Sequence, residues 1–357
     1  MIWKSAYNII YSLSILWGVA SLVFLLISVL PGDPSQMMMG QREQEDLRLI
    51  IEKKYGFNHS LSNQYLFYIN DLSPISFHSK DKAHFTNIDN HSYSSFLKFE
   101  FNNFNILIKT PYLRYSLVQN EKLVSSIIFE TLPNTFILAI SSLSFALLLG
   151  ISFGLISAVN QYKFIDHFLS TISVFGMSLP SFFAAIIVAW LFGYILNDYT
   201  GLSMTGSLYE VDDYGRGEFI NLSNLILPSL TLGIRPLAVI MQLTRNSLLD
   251  ILNEDYIRTA KAKGLPYSRI LFVHALPNSL NPVITSASGW LASMFAGAVF
   301  VEYIFGWNGI GKEIVSALNF LDIPLVMGIV LTISACFVFI TIFTDLLYYL
   351  IDPRIRN

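Results

Sequence analysis

Residues Asn253-Glu-Asp-Tyr-Ile-Arg-Thr-Ala-Lys-Ala-Lys-Gly264, followed by Leu276-Pro277, form a charged island between two long apolar segments. A chain this apolar on both sides has little need of a compact charged helix there unless something outside the membrane grips it. The island reads as a short helix. Glu254 precedes Arg258 by four residues, the favourable order for an ion pair. Lys261 and Lys263 complement the negative C-terminal end of the helix, and Gly264 with Pro266 ends it. Ile251, Leu252 and Ile257 supply an apolar side, and Tyr256 is placed to reach outward as an anchor. Such a helix suits a groove on a soluble partner. An ordinary cytoplasmic loop obeying the positive-inside rule accounts for the same charges.

The flanks of the island set the class. Of 357 residues, 53% are hydrophobic and 13% charged, with a mean hydropathy of +0.53, outside the usual range of soluble domains. Stretches 5–32, 131–162, 167–197, 270–301 and 323–344 carry no Asp, Glu, Lys or Arg. A helix crossing the hydrocarbon core needs about 20 mostly apolar residues, so each is long enough. A sixth stretch, 225–243, is interrupted by Arg235. Helices apolar on all sides require a solvent that tolerates them. Six membrane helices are expected. Cys336 is the only cysteine, which excludes an intrachain disulfide. The net charge of −3 says little about partners, and no nucleic-acid partner is expected.

Lys/Arg counts in short loops give the orientation. One side holds Lys4, Lys163, Arg245, Arg258, Lys261, Lys263, Arg269, Arg354 and Arg356. The short loops opposite hold Arg216 and Lys312 among Asp198, Glu210, Asp212, Asp213, Glu218, Glu302, Glu313 and Asp322. The first side is read as cytoplasmic, with both termini on it. Segment 31–130 carries ten Lys/Arg, but long loops cross largely regardless of charge. The first apolar run is about twice a signal-peptide h-region and lacks a small-residue cleavage site, so it reads as an uncleaved helix.

The expected organisation is a helix over 1–30, an extracytoplasmic segment over 31–130 and a membrane domain over 131–350. The charged loop falls at 248–277, and a tail at 351–357. Within 31–130, Gln41 to Tyr55 looks helical and ends at Gly56, where a left-handed cap fits. Ser76 to Asn105 has no clear period, although Phe96, Phe99, Phe101 and Phe104 suit a short strand or a packed loop. Pro180, Pro228, Pro236, Pro277 and Pro282 should bend their helices. Gly289, Ser293 and Gly297 form a small-residue face, read as packing within the bundle in preference to a subunit interface.

The island also carries a resemblance. Gly264 followed by nine residues, Ile/His274, one residue and Leu276-Pro277 matches the EAA loop of ABC importer permeases, with Ala260 retained and Arg258 and Thr259 replacing Glu and Ala. His274 stands where the general motif has Ile. Those departures resemble the dipeptide/oligopeptide branch, as Asp255-Tyr-Ile-Arg-Thr-Ala-Lys-Ala-Lys-Gly-Leu265 and His274-Ala-Leu276 stand here. Other stretches resemble the branch as well: Pro31-Gly-Asp-Pro34, Leu132-Pro-Asn-Thr135, Ser178-Leu-Pro-Ser181 and Val301-Glu-Tyr-Ile-Phe305. Gly309-Ile-Gly311, Asp345-Leu-Leu-Tyr348 and Asp352-Pro-Arg-Ile-Arg356 follow in the same order. Residues 76–110 read as an insertion.

The resemblance implies an all-α membrane protein with the six-helix, type I ABC importer permease (MetI-like) fold and an enlarged extracytoplasmic loop. It implies a bacterial inner-membrane subunit that pairs with a second permease, two cytoplasmic ATPase subunits and an extracytoplasmic binding protein. Asp255, Tyr256, Arg258, Thr259, Ala260, Gly264, Leu276 and Pro277 would then couple the membrane helices to the ATPases. The cargo class is di- or oligopeptides, with nickel chelates, glutathione and other small solutes as alternatives. The chain itself needs no cofactor; ATP belongs to the partners, and no G-x-x-x-x-G-K-[ST] loop occurs here.

Two rivals come from other classes. An ion-coupled secondary transporter generally places acids or His inside its helices; here no acid lies in a helix core away from the ends. A membrane-anchored enzyme needs a nucleophile–base or metal constellation, and no Gly-x-Ser-x-Gly elbow is present. His78, His84 and His91 lack metal-ligand spacing. Arg235 is the one deeply placed charge. It meets a peptide carboxylate in the pathway, faces a neighbouring subunit, or snorkels beside Pro236.

Overall fold

Hydrophobic runs become helices; the chain breaks at Pro180, whereas Pro133, Pro228 and Pro236 lie inside continuous helices. The structure, a computed structural model, describes residues 2–29, 52, 56–81, 84–88, 93–119, 122–212 and 217–351, with side chains described for 10–28 of the first segment and up to 344 in the last. Pro31 to Pro34, the stretch from 41 to 55 apart from Glu52, His91, Arg216 and Asp352 to Arg356 lie outside the described residues. The side chains of Lys4 and Asp345 do so too. Among the described residues, five helices are long and apolar enough to cross a membrane, or six if one strongly bent pair counts as a single span. The chain divides into two compact units, Met1–Glu130 with Ile314–Ala335, and Thr131–Glu313 with Cys336–Asn357.

In the first unit, α1 (Ile2–Val29) is followed by α2 (Leu61–Leu72). Gly56 takes φ +76°, the left-handed conformation that its sequence position called for. Helix α2 packs against α1: Ser21 and Tyr65 share a 2.7 Å hydrogen bond, and the Phe24 ring lies 5.3 Å from Tyr65 and 5.7 Å from Tyr68. Strands β1 (Ile75–Ser79), β2 (Ser95–Glu100) and β3 (Phe104–Lys109) form an antiparallel sheet in the order β1-β3-β2. Parts of the stretch 76–105, without a clear period in sequence, are thus strand: 76–79, 95–100 and 104–105. Its phenylalanines alternate imperfectly because the β2–β3 register shifts between Ser95 and Leu97.

Pairing of Ile75 with Ile108, Phe77 and Phe99 with Ile106, and Leu97 with Ile108 puts these residues on one sheet face. The other face carries buried Ser76, His78, Asn105, Leu107 and Lys109. Beneath it, Asp71 accepts hydrogen bonds from Arg114 Nε (3.0 Å) and Nη2 (2.9 Å) and from Tyr93 OH (3.1 Å). Lys109 Nζ donates to the Asp71 carbonyl and lies 5.2 Å from the Tyr93 ring centre. Burial holds the Lys109 amine down at about 8 against the opposing pull of Asp71, and burial first, then Asp71, pushes the Tyr93 phenol up. Asp322 closes this unit by accepting from the Ser116 hydroxyl and the Leu117 and Val118 amides (3.2 and 3.3 Å). Its other oxygen accepts the Leu325 amide in the first turn of α10 (Ile323–Ile351), as an N-terminal acid should.

The second unit is a helical bundle. Helix α3 (Val124–Val159) enters it from Thr131 onward, and α4 (Phe164–Ser178) follows. Chain direction then turns by 110° into α5 (Ser181–Trp190), which continues as a π-helical turn to Ile195. Leu179 is extended (ψ 129°) because the following Pro180 disfavours the helical conformation before it. Strands β4 (Tyr209–Val211) and β5 (Glu218–Ile220) form a hairpin ahead of α6 (Ser223–Leu252).

Helix α6 keeps its helical path through Pro228 and Pro236 and packs against α4, α5 and α8 (Asn281–Phe305). Ala146, Ile240 and Val283 join α3, α6 and α8 in a buried cluster. Gly150 lets α3 approach closely: a Cβ there would lie 2.8 Å from Ile240 Cγ2 and 2.9 Å from the Leu237 carbonyl.

The small-residue face of α8 departs from expectation. Gly289 has nothing within 4 Å of where a Cβ would lie, and Ser293 is exposed, whereas Gly297 approaches Leu232 at 3.7 Å. A four-residue repeat drifts by about 40° per step on a 3.6-residue helix. The stripe therefore starts outside the bundle and ends inside it.

Candidate coupling site

The island between α6 and α8 is built around two buried side chains. Helix α6 stops at Leu252, and Glu254 is extended (φ −68°, ψ 151°) before α7 (Asp255–Ala262) begins. Ile257 and Ala260, three residues apart, fall on one side of α7. They pack into a cluster with Ala158, Leu248, Ile270, Leu271 and Ala275, where Ile257 is fully buried. Burying an isoleucine contributes about 2–3 kcal/mol, enough to seat one short helix. Asp255, Tyr256, Arg258, Thr259, Lys261 and Lys263 all stay exposed.

Helix α7 ends in a Schellman arrangement. The Gly264 amide donates to the Lys261 carbonyl at 3.0 Å and the Leu265 amide to the Ala260 carbonyl at 3.3 Å, with Gly264 at φ +74°. Leu265 then joins the same apolar cluster. The ion pair within the helix differs from the one the spacing indicates. Arg258 Nη1 donates to Asp255 Oδ1 at 3.3 Å, because Glu254 has left the helical path and only its carbonyl meets Arg258, at the backbone.

The second half of the sequence pattern meets the first in space. After Pro266 come helical Tyr267–Arg269, a π-helical Ile270–Ala275 and helical Leu276–Ser279. Tyr256 OH donates to the His274 carbonyl at 3.4 Å, and Asn278 Nδ2 donates to Tyr256 OH at 3.1 Å and to the same carbonyl at 2.9 Å. Tyr256 is thus a tether as well as an exposed side chain. Leu276 is half-buried and Pro277 exposed. Asn278 escaped the sequence reading because its partner lies 22 residues away.

Two further anchors belong to this unit. Asp166 is buried and accepts Arg245 Nε at 2.6 Å and Nη2 at 2.7 Å, the Ser157 hydroxyl, and the Tyr162 amide at 3.0 Å. It ties the α3–α4 turn to α6. Arg245, counted from sequence as a loop charge, lies inside α6.

The second anchor is Glu302, also counted as a loop charge, which is a buried residue in the last turns of α8. Its carboxylate accepts the Gly311 and Lys312 amides at 2.6 and 3.3 Å, at the start of α9 (Ile310–Asn319). Beside it, Trp307 Nε1 donates to the Asn134 carbonyl at 3.0 Å, Asn134 Nδ2 to the Asn308 carbonyl at 2.7 Å, and the Ile310 amide to Thr135 Oγ1 at 2.9 Å. Leu132 to Thr135 and Val301 to Gly311, separate in sequence, form one corner.

Arg235 is exposed in the middle of α6 and has no hydrogen bond or ion pair among the described residues. His78 is buried, shares a 2.8 Å hydrogen bond with Ser76 and another of 2.9 Å with the Thr86 carbonyl, and His84 contacts Thr86 Oγ1 at 2.9 Å. Among the described residues no His/Cys/Asp/Glu group is arranged to hold a metal.

Long apolar helices, a bent pair and a seated amphipathic helix define a multi-pass α-helical membrane protein. Residues 150–357 match the family described as the binding-protein-dependent transport system inner membrane component, and the chain belongs to that family. It is similar to a dipeptide transport system permease protein of Alkalihalophilus pseudofirmus, 31% identical over 96% of each chain. It is 32% identical to an oligopeptide transport system permease protein of Bacillus subtilis, over 97% of this chain and 96% of that one. A probable D,D-dipeptide transport system permease protein of Escherichia coli is also 32% identical, over 95% of this chain and 93% of that one. Among solved structures, the inward-facing MetNI methionine ABC transporter aligns with a TM-score of 0.48 and 14% identity, covering 64% of this chain and 97% of that one.

Proposed function

We propose that this chain is the transmembrane permease subunit of an ATP-driven, binding-protein-dependent importer of di- or oligopeptides, and that α7 is its coupling helix. The observation that carries the reading is the split character of α7. Ile257 and Ala260 root it in the bundle, while Asp255, Tyr256, Arg258 and Thr259 face outward with few partners of their own. A helix so held transmits a push on its outer face into α6 and α8 through the cluster beneath it. The peptide class rests on the relatives' names and on the Asp255 to Leu265 pattern.

On this reading both termini and α7 lie in the bacterial cytoplasm and 31–130 lies outside, with the membrane domain over 131–350 and the coupling loop over 248–277. Two ATPase subunits grip α7 and its counterpart in a second permease, and a binding protein delivers cargo from outside. Closure of the ATPases moves α7, and the permease pair opens outward. Leu276 and Pro277 link that motion to α8. Arg235, exposed at mid-helix, faces water in the translocation pathway, where it meets the carboxylate of the cargo.

The test is a reconstituted complex assayed for ATP hydrolysis and peptide uptake together. Arg258→Glu and Gly264→Val should each lower uptake at least tenfold while the chain still inserts, and should separate hydrolysis from transport. Normal uptake in both variants would sink the coupling assignment. Uptake driven by an ion gradient without ATP would overturn the class.

A further inference from the structure

The sheet of the first unit presents an apolar face that nothing among the described residues covers. Ile75 (55% exposed), Phe77 (58%), Leu97 (55%) and Phe99 (50%) lie on it, with Phe104 and Ile106 between them. The rings adjoin: Phe77 and Phe104 are 6.4 Å apart, and Phe101 stacks on Phe104 at 5.1 Å. Together these side chains expose on the order of several hundred Å², the size at which an apolar patch marks an interaction surface. The opposite side of the edge strand β2 is polar, with Lys98 and Glu100 paired at 2.7 Å.

Depth identifies what covers the face. Helix α2 lies against α1 at Ser21 and Phe24, inside the apolar span Ile10–Ser28. Ser21 is seven residues before the end of that span, about 10 Å along the helix axis. With α1 crossing the bilayer over that span, Tyr65 in α2 falls below the hydrocarbon boundary, and the nearby Leu61 and Leu66 are 59% and 61% exposed. Strand β1 begins three residues after α2 ends.

Composition agrees. The face carries Phe and Leu, residue types that amphipathic membrane anchors turn toward lipid. We infer that the apolar face of the β1-β3-β2 sheet inserts into the bilayer leaflet at the C-terminal end of α1. The sheet is then an interfacial anchor of the kind amphipathic helices provide, buried to a shallow depth by apolar area.

Lipid-borne quenching tests it. The full-length chain, with Cys336→Ala and whatever subunits accompany it, carries Phe77→Cys, Phe99→Cys or Lys98→Cys, labelled with an environment-sensitive fluorophore. In phosphatidylethanolamine/phosphatidylglycerol vesicles, labels at 77 and 99 should emit to the blue of the label at 98. They should also be quenched at least twofold more by shallow spin-labelled lipid and at least twofold less by aqueous iodide. Equal iodide quenching at all three positions overturns the insertion. Shielding at 77 and 99 that appears only when an extracytoplasmic binding protein is added overturns it in favour of a protein site. The two patch positions are both half-exposed, so loss of one variant to misfolding leaves the other to decide.

Discussion

Two aspartate–arginine pairs in this chain live in opposite surroundings. Arg114 lies 2.9 Å from Asp71 with side chains 20% and 4% exposed, and Arg258 lies 3.3 Å from Asp255 with side chains 71% and 94% exposed. The first pair sits in a network with Tyr93 and Lys109, where the oxygens of Asp71 are taken up inside the unit. The second is an i,i+3 pair at the surface of a short helix, surrounded by water. A buried pair is strongly destabilising to break, whereas an exposed one contributes about 0–1 kcal/mol. The residue types at Asp71 and Arg114 therefore serve the fold. Those at Asp255 and Arg258 do little for it.

Asp71→Ala gives the largest expected effect, because it removes the buried carboxylate that Arg114 and Tyr93 share and should cost about 3 kcal/mol. Thermal unfolding of the purified chain in detergent reads this as a large fall in midpoint. An unchanged midpoint would erase the contrast between the pairs. Next comes Gly264→Val, which forces a β-branched residue to φ +74° at a cost of about 1–2 kcal/mol. Hydrogen exchange should speed up at 255–265 and stay unchanged in α3 and α6.

A pH effect follows from Lys109. Its amine is held at about 8 when folded, against 10.5 when free. The unfolded chain then binds more protons between those values, so stability rises as pH goes up from about 8. Tyr68 and Tyr93, pushed above 10.0 chiefly by burial, oppose this only above pH 10. The unfolding midpoint should climb between pH 8 and 10, and Lys109→Met should flatten the climb. The smallest effect belongs to Arg258→Ala, which should change stability by less than about 0.5 kcal/mol. A fall above 2 kcal/mol in the same melting assay would place the exposed pair alongside the buried one.

Features governed by local chemistry could be read from sequence. Gly56 and Gly264 take left-handed conformations, Gly264 at the end of α7, and the helix breaks before Pro180, which disfavours a helical Leu179. Apolar length alone marked the long spans. Ile257 faces the core, as the apolar side of the island required. What escaped depends on partners distant in the chain. Asp166 and Arg245 are 79 residues apart, and Arg245 looked like one more positive charge near a helix end. Glu302 resembled a loop acid because the turn at Gly309 to Gly311, which brings amides onto its carboxylate, has no signature in charge counts. The sheet was obscured by the register shift in β2 and by an outer face as apolar as parts of its inner one. Tyr256 was read as pointing outward, and its link to His274 and Asn278 depends on the π-helical turn at 270–275.

The 110° turn at Leu179-Pro180 makes the sidedness of this chain a question of parity. Each half of the bent pair has 15 residues, about 22 Å of helix, too short to cross a hydrocarbon core of about 30 Å alone. Counted together as one crossing, the halves make four spans before α7 and set that helix in the compartment of the N-terminus. Counted as a fold back to the same surface, they make three and set it opposite. The break at Pro180 thus bears on more than the shape of one helix. It decides, relative to the N-terminus, which of the two solutions bathes Asp255, Tyr256 and Arg258.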